Sequence, residues 1–367
     1  MLTLAAISFV ISVSLCLLLI LIGKERARLY AKAMPQRFHK GHVPRVGGIA
    51  IAAGCILAWC LGVVSYQLKL PTNVPLQWRE TLLWVLVLLP AFVAGVCEDH
   101  TLRIGARWRL GASALSGLLG CLVMGLSVPR LGLPVIDVWW QTIPWLGMAL
   151  AFLAIAGLPH AFNIIDGYNG LAGIVTVLVC GAIAHVALQL GDRSLAGMLF
   201  GVIGATLGFL FWNYPRGMIF AGDGGAYLWG GAIAIACITL VQRHPAVSPW
   251  FVMLLLIYPV WETFFSMYRK WVRGVSPGVA DSLHFHQLVY KRVVRGVFHD
   301  NDTRRMLMRN NKTSPYLWGF TALTVAPAVL FWNNTSLLIG FCGLFVISYV
   351  AAYVAIIRFK VPHWLRR

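Results

Sequence analysis

The sequence is short of charge. Only 11% of its 367 residues are Asp, Glu, Lys or Arg, against about 25% in a typical soluble domain. Acidic residues are scarcest, 12 beside 30 Lys and Arg. With 59% of the chain hydrophobic, an ordinary water-soluble globule is excluded. Metal-ligand spacing and a disulfide framework are missing too. Cys16, Cys55, Cys60, Cys97, Cys121, Cys180, Cys237 and Cys342 all lie in apolar runs and read as packing residues. There is no GxxxxGK[ST], so no P-loop nucleotide hydrolase is implied. The first apolar run has no basic n-region and is long enough to span, so it is not a cleaved signal peptide.

What is present is a series of long apolar runs. Their edges give eleven spans: 2–23, 46–65, 81–97, 108–127, 141–158, 171–190, 195–212, 224–241, 249–268, 316–332 and 336–357. Runs this long exceed the roughly ten-residue strands of a membrane barrel. In hydrocarbon the backbone must satisfy itself, which makes each run a helix. The expectation is an all-α, polytopic membrane protein with about eleven transmembrane helices. It forms one domain over 1–367, with a cytoplasmic His-containing loop at 269–315. Placing the N-terminus outside and the C-terminus inside puts 25 of the 30 Lys and Arg on the cytoplasmic side; Lys69, Arg79, Arg130, Arg193 and Arg243 stay outside. The net charge of +18 is then explained by topology and anionic headgroups. Nucleic acid is not an expected partner, because the basic residues are scattered over short loops.

The inside loops gather the polar residues. They contain "FHKGHVPRVGG", "CEDHTLRIGARWRL", "HAFNIIDGYNGLAG", "WNYPRGMIFAGDGGAYLWG" and "ADSLHFHQLVYKRVVR". Glu98 and Asp99 are adjacent acids at the end of a span, where they oppose the helix dipole. They read either as a solvated helix end or as a site that offsets their repulsion with a divalent cation. Asp223 reads as a helix N-cap or as a ligand among glycines that let the backbone approach closely. Phe220 is a core residue or a ring that stacks on a base. His284 and His286 alternate, but two ligands without Cys make no zinc site. They suit phosphate contacts, or form an ordinary loop pair. Lys40 and Arg45 flank Gly41 and precede Gly47-Gly48, only loosely like a phosphate cradle. Glu262, about two turns before Arg269, reads as half of a structural ion pair. Carboxylates, cations and His collecting near glycines on one face suggest a site.

The order of these motifs resembles the polyprenyl-phosphate N-acetylhexosamine-1-phosphate transferases, glycosyltransferase family 4. "VPRVGGIAI" is similar to the family's PxxGGI segment, and "GVCEDH" to GxxDD. "FNIIDGYNGLAG" is similar to NxxNxxDGxDGLA, "FAGDGGAYLWG" to FxGDxGSxxLG, and "DSLHFHQL" to PDRxHxHHxL. The resemblance runs from about residue 38 to 290. It implies a cytoplasmic Mg²⁺ site, with Mn²⁺ as a substitute, in the bacterial cytoplasmic membrane. It also implies transfer of a sugar-1-phosphate from a UDP-N-acetylhexosamine to undecaprenyl phosphate, releasing UMP. That is the initiating step of a cell-envelope polysaccharide such as O-antigen, and the resemblance admits a homodimer. By the same resemblance Glu98 and Asp99 fall on the DD pair, and Asp223 on a metal ligand that Asp99 joins. Phe220 falls on the aromatic that stacks uracil. Lys40, Asn163, Asp166 and Asn213 fall on nucleotide-pocket positions. Asp281, His284 and His286 fall on the loop that contacts the donor's diphosphate or sugar. Arg109 falls on the basic residue after the DD pair, and Arg45 stands in the first motif.

Four positions depart from the family pattern: Glu98 for Asp, Asn169 for Asp, Gln287 for His and Ala226 for Ser. The expectation for Asn169 is a role in nucleotide or sugar recognition rather than metal binding. Direct attack by the lipid phosphate, with Glu98 or Asp99 as base, is favoured over a covalent acyl-phosphate route. The rival class is a polytopic transporter of a lipid-linked or anionic substrate. Carriers show internal repeats and midplane polar groups, whereas this chain shows no repeat and collects its polar groups at one edge. A CDP-alcohol phosphatidyltransferase is a poor match, because "DGYNGLAG" lacks the AR and the later acids of that motif.

Overall fold

The computed structural model describes residues 1–30, 43–70, 74–274, 283–294 and 303–358. All regular elements among them are helical. In chain order they are α1 (Leu2–Tyr30), α2 (Gly47–Gln67), α3 (Trp78–Thr101), α4 (Ala106–Val123), α5 (Pro134–Thr142) and α6 (Pro144–Ile165). There follow α7 (Leu171–Gln189), α8 (Arg193–Asn213), α9 (Gly222–Arg243) and α10 (Pro249–Val272). Then come the short α11 (Phe285–Leu288), a single π-helical turn (Val289–Val293), α12 (Thr303–Leu330) and α13 (Thr335–Ile357).

Each of the eleven expected runs falls mainly on one helix, and 141–158 begins in the last residues of α5 before continuing as α6. Among the described residues, nine helices are long and apolar enough to cross a membrane, and the chain is a multi-pass membrane protein. Expected spans 108–127 and 316–332 are the two outside that set. Helix α4 carries Arg107 and Arg109 in its first turn and stops at Val123. Helix α12 starts at Thr303, so its first half is the polar stretch "TRRMLMRNNKTS". The expected loop 269–315 is therefore largely helical where it is described. An apolarity count misses such a helix because its polar side chains are spent inside the protein. Helix α5 was also not expected. Pro134 opens it, and the Asp137 carboxylate accepts the N–H groups of Leu131 (2.6 Å) and Leu133 (3.0 Å).

Helix α9 is the axis of the bundle. It is buried from Gly222 to Val241 and ringed by α2, α3, α6, α7 and α8. Helix α1 packs against α2 and α8, while α10, α12 and α13 pack together and reach the axis assembly through α6 and α7. Apolar surface gains nothing by leaving lipid, so close approach of backbones has to hold such helices together. The composition of α9, "GDGGAYLWGGAIAIACITL", provides that approach. A Cβ on Gly230 would lie 2.5 Å from the Leu158 carbonyl oxygen of α6. The outward faces carry Leu82, Leu153, Leu323 and Ile347, an apolar exterior suited to lipid.

Opposite ends of α9 differ in chemistry. At its C-terminal end Arg243 binds Glu80 (2.8 Å) and Asp192 (3.1 Å), and the Ser194 hydroxyl donates to Glu80 (2.5 Å). This latch ties α9 to the start of α3 and to the α7–α8 turn. The motif residues lie at the other end. Because of the contact with Leu158, Gly230→Ala should cost about 1–3 kcal/mol by overpacking. That appears as a lowered unfolding midpoint in detergent. Gly340→Ala on α13, with open space around it, should leave the midpoint unlowered.

Candidate active site at one end of the bundle

Helix α9 begins without a cap of its own: Ala221 offers no side-chain hydrogen bond to the first turn. The cap comes from α3. The Asp99 carboxylate is buried and accepts the N–H of Asp223 on Oδ1 and that of Gly224 on Oδ2, both at 2.9 Å. An acid at the C-terminus of α3 opposes that helix's dipole, but it complements the N-terminus of α9. This accounts for the awkward position of Asp99. The fit is tight: Gly222 has φ +72°, and a Cβ there would overlap the Asp99 carboxylate.

The first motif is bonded to the fourth. Phe220 N–H donates to Pro44 O, Gly47 N–H to Phe220 O and Gly48 N–H to Ala221 O, each at 2.9 Å. The Gly47-Gly48 pair is a steric requirement of this pairing. A Cβ on Gly47 would lie 2.8 Å from Phe220 O, and one on Gly48 would strike the Gly225 backbone.

These contacts bring together the carboxylates and their cations. Asp223 Oδ1 receives Asn163 Nδ2 (2.8 Å) and Arg45 Nη2 (3.4 Å), and Oδ2 receives Arg109 Nη1. Arg45 Nε also lies 3.8 Å from Asp99 Oδ1. Asp166 follows the last residue of α6 and feels both Arg45 and Asp223. Burial lifts its carboxyl to about 7; Arg45 pulls it down and Asp223 adds to the rise. A further cation there would favour its ionised form. Glu98 is only partly buried. One of its oxygens accepts Ile104 N–H (2.7 Å), where the chain turns through Leu102 at φ +53°. The other has no hydrogen bond among the described residues, and the carboxylate faces the Arg109 charge.

No group of three or more His, Cys, Asp or Glu among the described residues forms a ready cation cage. The available donors are hard carboxylate oxygens; those of Asp99 are bonded to backbone N–H groups and those of Asp223 to Arg45, Arg109 and Asn163. A partial set of this kind fits Mg²⁺, which takes one or two carboxylates and completes its sphere with water and substrate phosphate.

Residues 81–241 match the family model described as glycosyl transferase family 4. The matched stretch contains the α3 acids, Arg109, the Asn163–Gly170 turn and Asp223. Over that stretch the chain is similar to glycosyl transferase family 4. A Bacillus subtilis protein named probable undecaprenyl-phosphate N-acetylglucosaminyl 1-phosphate transferase is 27% identical over 291 residues, 76% of this chain and 75% of its own. An undecaprenyl-phosphate alpha-N-acetylglucosaminyl 1-phosphate transferase of Escherichia coli strain K12 is 26% identical over 273 residues, 73% and 70% of the two chains. The protein of that name from Yersinia pestis is 27% identical over 259 residues, 69% and 67%.

The remaining expected residues take different places. Asn213 is buried and braces the turn: its Oδ1 accepts Gly170 N–H (2.7 Å), and its Nδ2 donates to Ile219 O (2.8 Å). Phe220 is half-buried, and its backbone joins the first and fourth motifs. His286 packs against the turn after Asp166; a Cβ on Gly167 would lie 3.0 Å from its Nε2. His284 stacks on His286 with ring centroids 5.4 Å apart. Lys40 and Asp281 lie outside the described residues.

Asn169 points elsewhere than the sequence suggested. It is 1% exposed and faces α12. Its N–H donates to Asn310 Oδ1 and its Nδ2 to Asn311 Oδ1, both 2.9 Å, while Ser314 donates to its carbonyl (2.6 Å). Asn310, Asn311 and Ser314 lie outside the five motifs that stand out in the sequence. The one available signal was the paired amides in "RNNKTS". Asn311 Nδ2 is already given to Pro215 O (2.6 Å), so a carboxylate at 169 would meet an acceptor. Asn169→Asp should therefore cost about 1–3 kcal/mol, read as a lower unfolding midpoint with or without substrate.

Proposed function

We propose that this protein transfers an N-acetylhexosamine-1-phosphate from a UDP-sugar to undecaprenyl phosphate, releasing UMP. The carrying observation is the packing of Asp99, Asp166 and Asp223 with Arg45, Arg109 and Asn163 at one end of an apolar-faced bundle. A lipid phosphate and a water-soluble nucleotide can meet only at such an edge. The names of the relatives support the acceptor and the transferred group. The Lys and Arg distribution supports a cytoplasmic location for this end, in the bacterial cytoplasmic membrane with the N-terminus outside. The product would be the first lipid-linked sugar of a cell-envelope polysaccharide such as O-antigen.

In the reaction an oxygen of the lipid phosphate bonds to the donor's β-phosphorus. The bond from that phosphorus to the bridging oxygen breaks, and UMP leaves with the electron pair. Arg45 and Arg109 are the fixed cations available to the phosphate oxygens, and they strengthen as charge develops. Asp223, with Asp166, would hold Mg²⁺, or Mn²⁺ in its place. The bound ion supplies charge that screens two anionic phosphates from each other. Asp99 acts through its cap on α9, holding the Asp223 backbone in place. Glu98 is the better-placed base, because one oxygen has no hydrogen bond among the described residues. It can take the proton of a singly protonated lipid phosphate and so restore the dianionic nucleophile.

Purified protein should release UMP from UDP-N-acetylglucosamine or a related hexosamine donor only when undecaprenyl phosphate is present. Asp223→Asn should lower this turnover by at least about 10²-fold, the scale of a lost electrostatic group, while expression persists. Full activity in that variant would overturn the assignment. So would transport of a substrate into sealed vesicles with no UMP formed from any donor.

A further inference from the structure

A second buried carboxylate lies behind the His segment. Glu262, on α10, is 0% exposed. Burying a charge is costly unless it is paired and hydrogen-bonded, and this one is well provided. His284 Nδ1 lies 3.0 Å from Oε1. The Phe285 N–H reaches both oxygens at 3.2 and 3.3 Å, and the Tyr349 hydroxyl of α13 donates to Oε2 at 2.7 Å. Three elements thus converge on one side chain: α10, the start of α11 and α13. Helix α11 is a single turn, too short to hold itself in place. Its first residues are pinned by Glu262, and its His286 ring is stacked on His284 (5.4 Å, 2° between planes) and edge-on to Tyr168 (5.6 Å). Gly167 and Tyr168 follow Asp166, so the chain of contact runs from Glu262 through the two imidazoles to the turn after Asp166.

We propose that Glu262 is a positioning residue that fixes His284 with its Nδ1–H on the carboxylate, so that Nε2 on the far side of the ring serves a phosphate oxygen of the donor. A carboxylate accepts only, so the shared proton belongs to Nδ1. A carboxylate behind an imidazole sets its tautomer and orientation and stabilises the imidazolium. With Nδ1–H committed, the protonated ring offers one outward N–H to an anion. The ion pair expected from the sequence between Glu262 and a nearby basic group becomes a carboxylate–imidazole pair, joined through His286 to the turn after Asp166. This rests on the proposed transferase reading, and its test separates the two.

Two measurements decide it. In ¹⁵N-histidine-labelled protein, solid-state NMR should show a proton-bearing Nδ1 signal that disappears in His284→Gln and is lost or shifted in Glu262→Gln. This arm reads the pair itself, whatever reaction the protein performs; an unchanged signal in Glu262→Gln overturns the proposal. In the turnover assay, Glu262→Gln should lower kcat/KM for the UDP-sugar at least tenfold with an unfolding midpoint near that of the parent. The double variant with His284→Gln should be no worse than His284→Gln alone, because the two residues act as one unit. Glu262→Asp, which keeps the charge, should recover part of the loss. Additive losses, or Glu262→Asp no better than Glu262→Gln, would show that Glu262 only supports the fold. A parent protein that shows the NMR pair but no UMP release would count against the transferase reading and leave the pairing standing.

Discussion

The Asp99 carboxylate on the Asp223 and Gly224 N–H groups, in the first turn of α9, is the contact on which the site depends. It joins the end of one helix to the start of the most buried one, and it does so where α9 has no cap of its own. Because both oxygens are taken by backbone, Asp223 is held at a fixed place and its side chain is left to Arg45, Arg109 and Asn163. The glycines of two motifs exist to permit this approach. A Cβ on Gly222 would occupy the position of the Asp99 carboxylate, and one on Gly95 would press on Gly224 N at 2.6 Å. A few small residues and one buried acid therefore convert a hydrocarbon-facing bundle into a polar site at its end.

Adjacent acids in a motif need not share a role. Asp99 is buried and committed to backbone, while Glu98 is partly open and faces Arg109. One oxygen of Glu98 reaches back to Ile104 N–H. Farther back, Glu262 stands to His284 much as Asp99 stands to α9. Each is a buried acid on a span that satisfies itself by organising a segment at the bundle's end.

Much of the architecture was legible in the sequence, because long apolar runs in lipid leave the backbone no choice but helix. The eleven runs fall on helices for that reason. Helix α12 began well before its apolar run because Asn310, Asn311, Thr313 and Ser314 are hydrogen-bonded within the protein, and no hydropathy pattern carries that information. At the site, acids, guanidiniums and glycines stood out against an apolar background, and the first four motifs meet at one end of the bundle. What each does was less legible. Asn169 looked like a recognition residue from its motif position, yet its amide is matched to amides more than a hundred residues later in the chain. Such complementarity is a property of pairs, and a single sequence displays only one member at a time. The partners of Glu262 were hidden for the same reason, because they come from the segment that opens α11 and from α13.

Asp223 is proposed to anchor a cation that the donor's phosphates would share. Electron–nuclear double resonance of Mn²⁺ bound to purified protein with UDP-N-acetylglucosamine tests this most directly. The expected result is a protein-bound ion coupled to phosphorus in the parent, and no bound ion in Asp223→Asn. A bound ion with the same phosphorus coupling in both proteins would contradict the account.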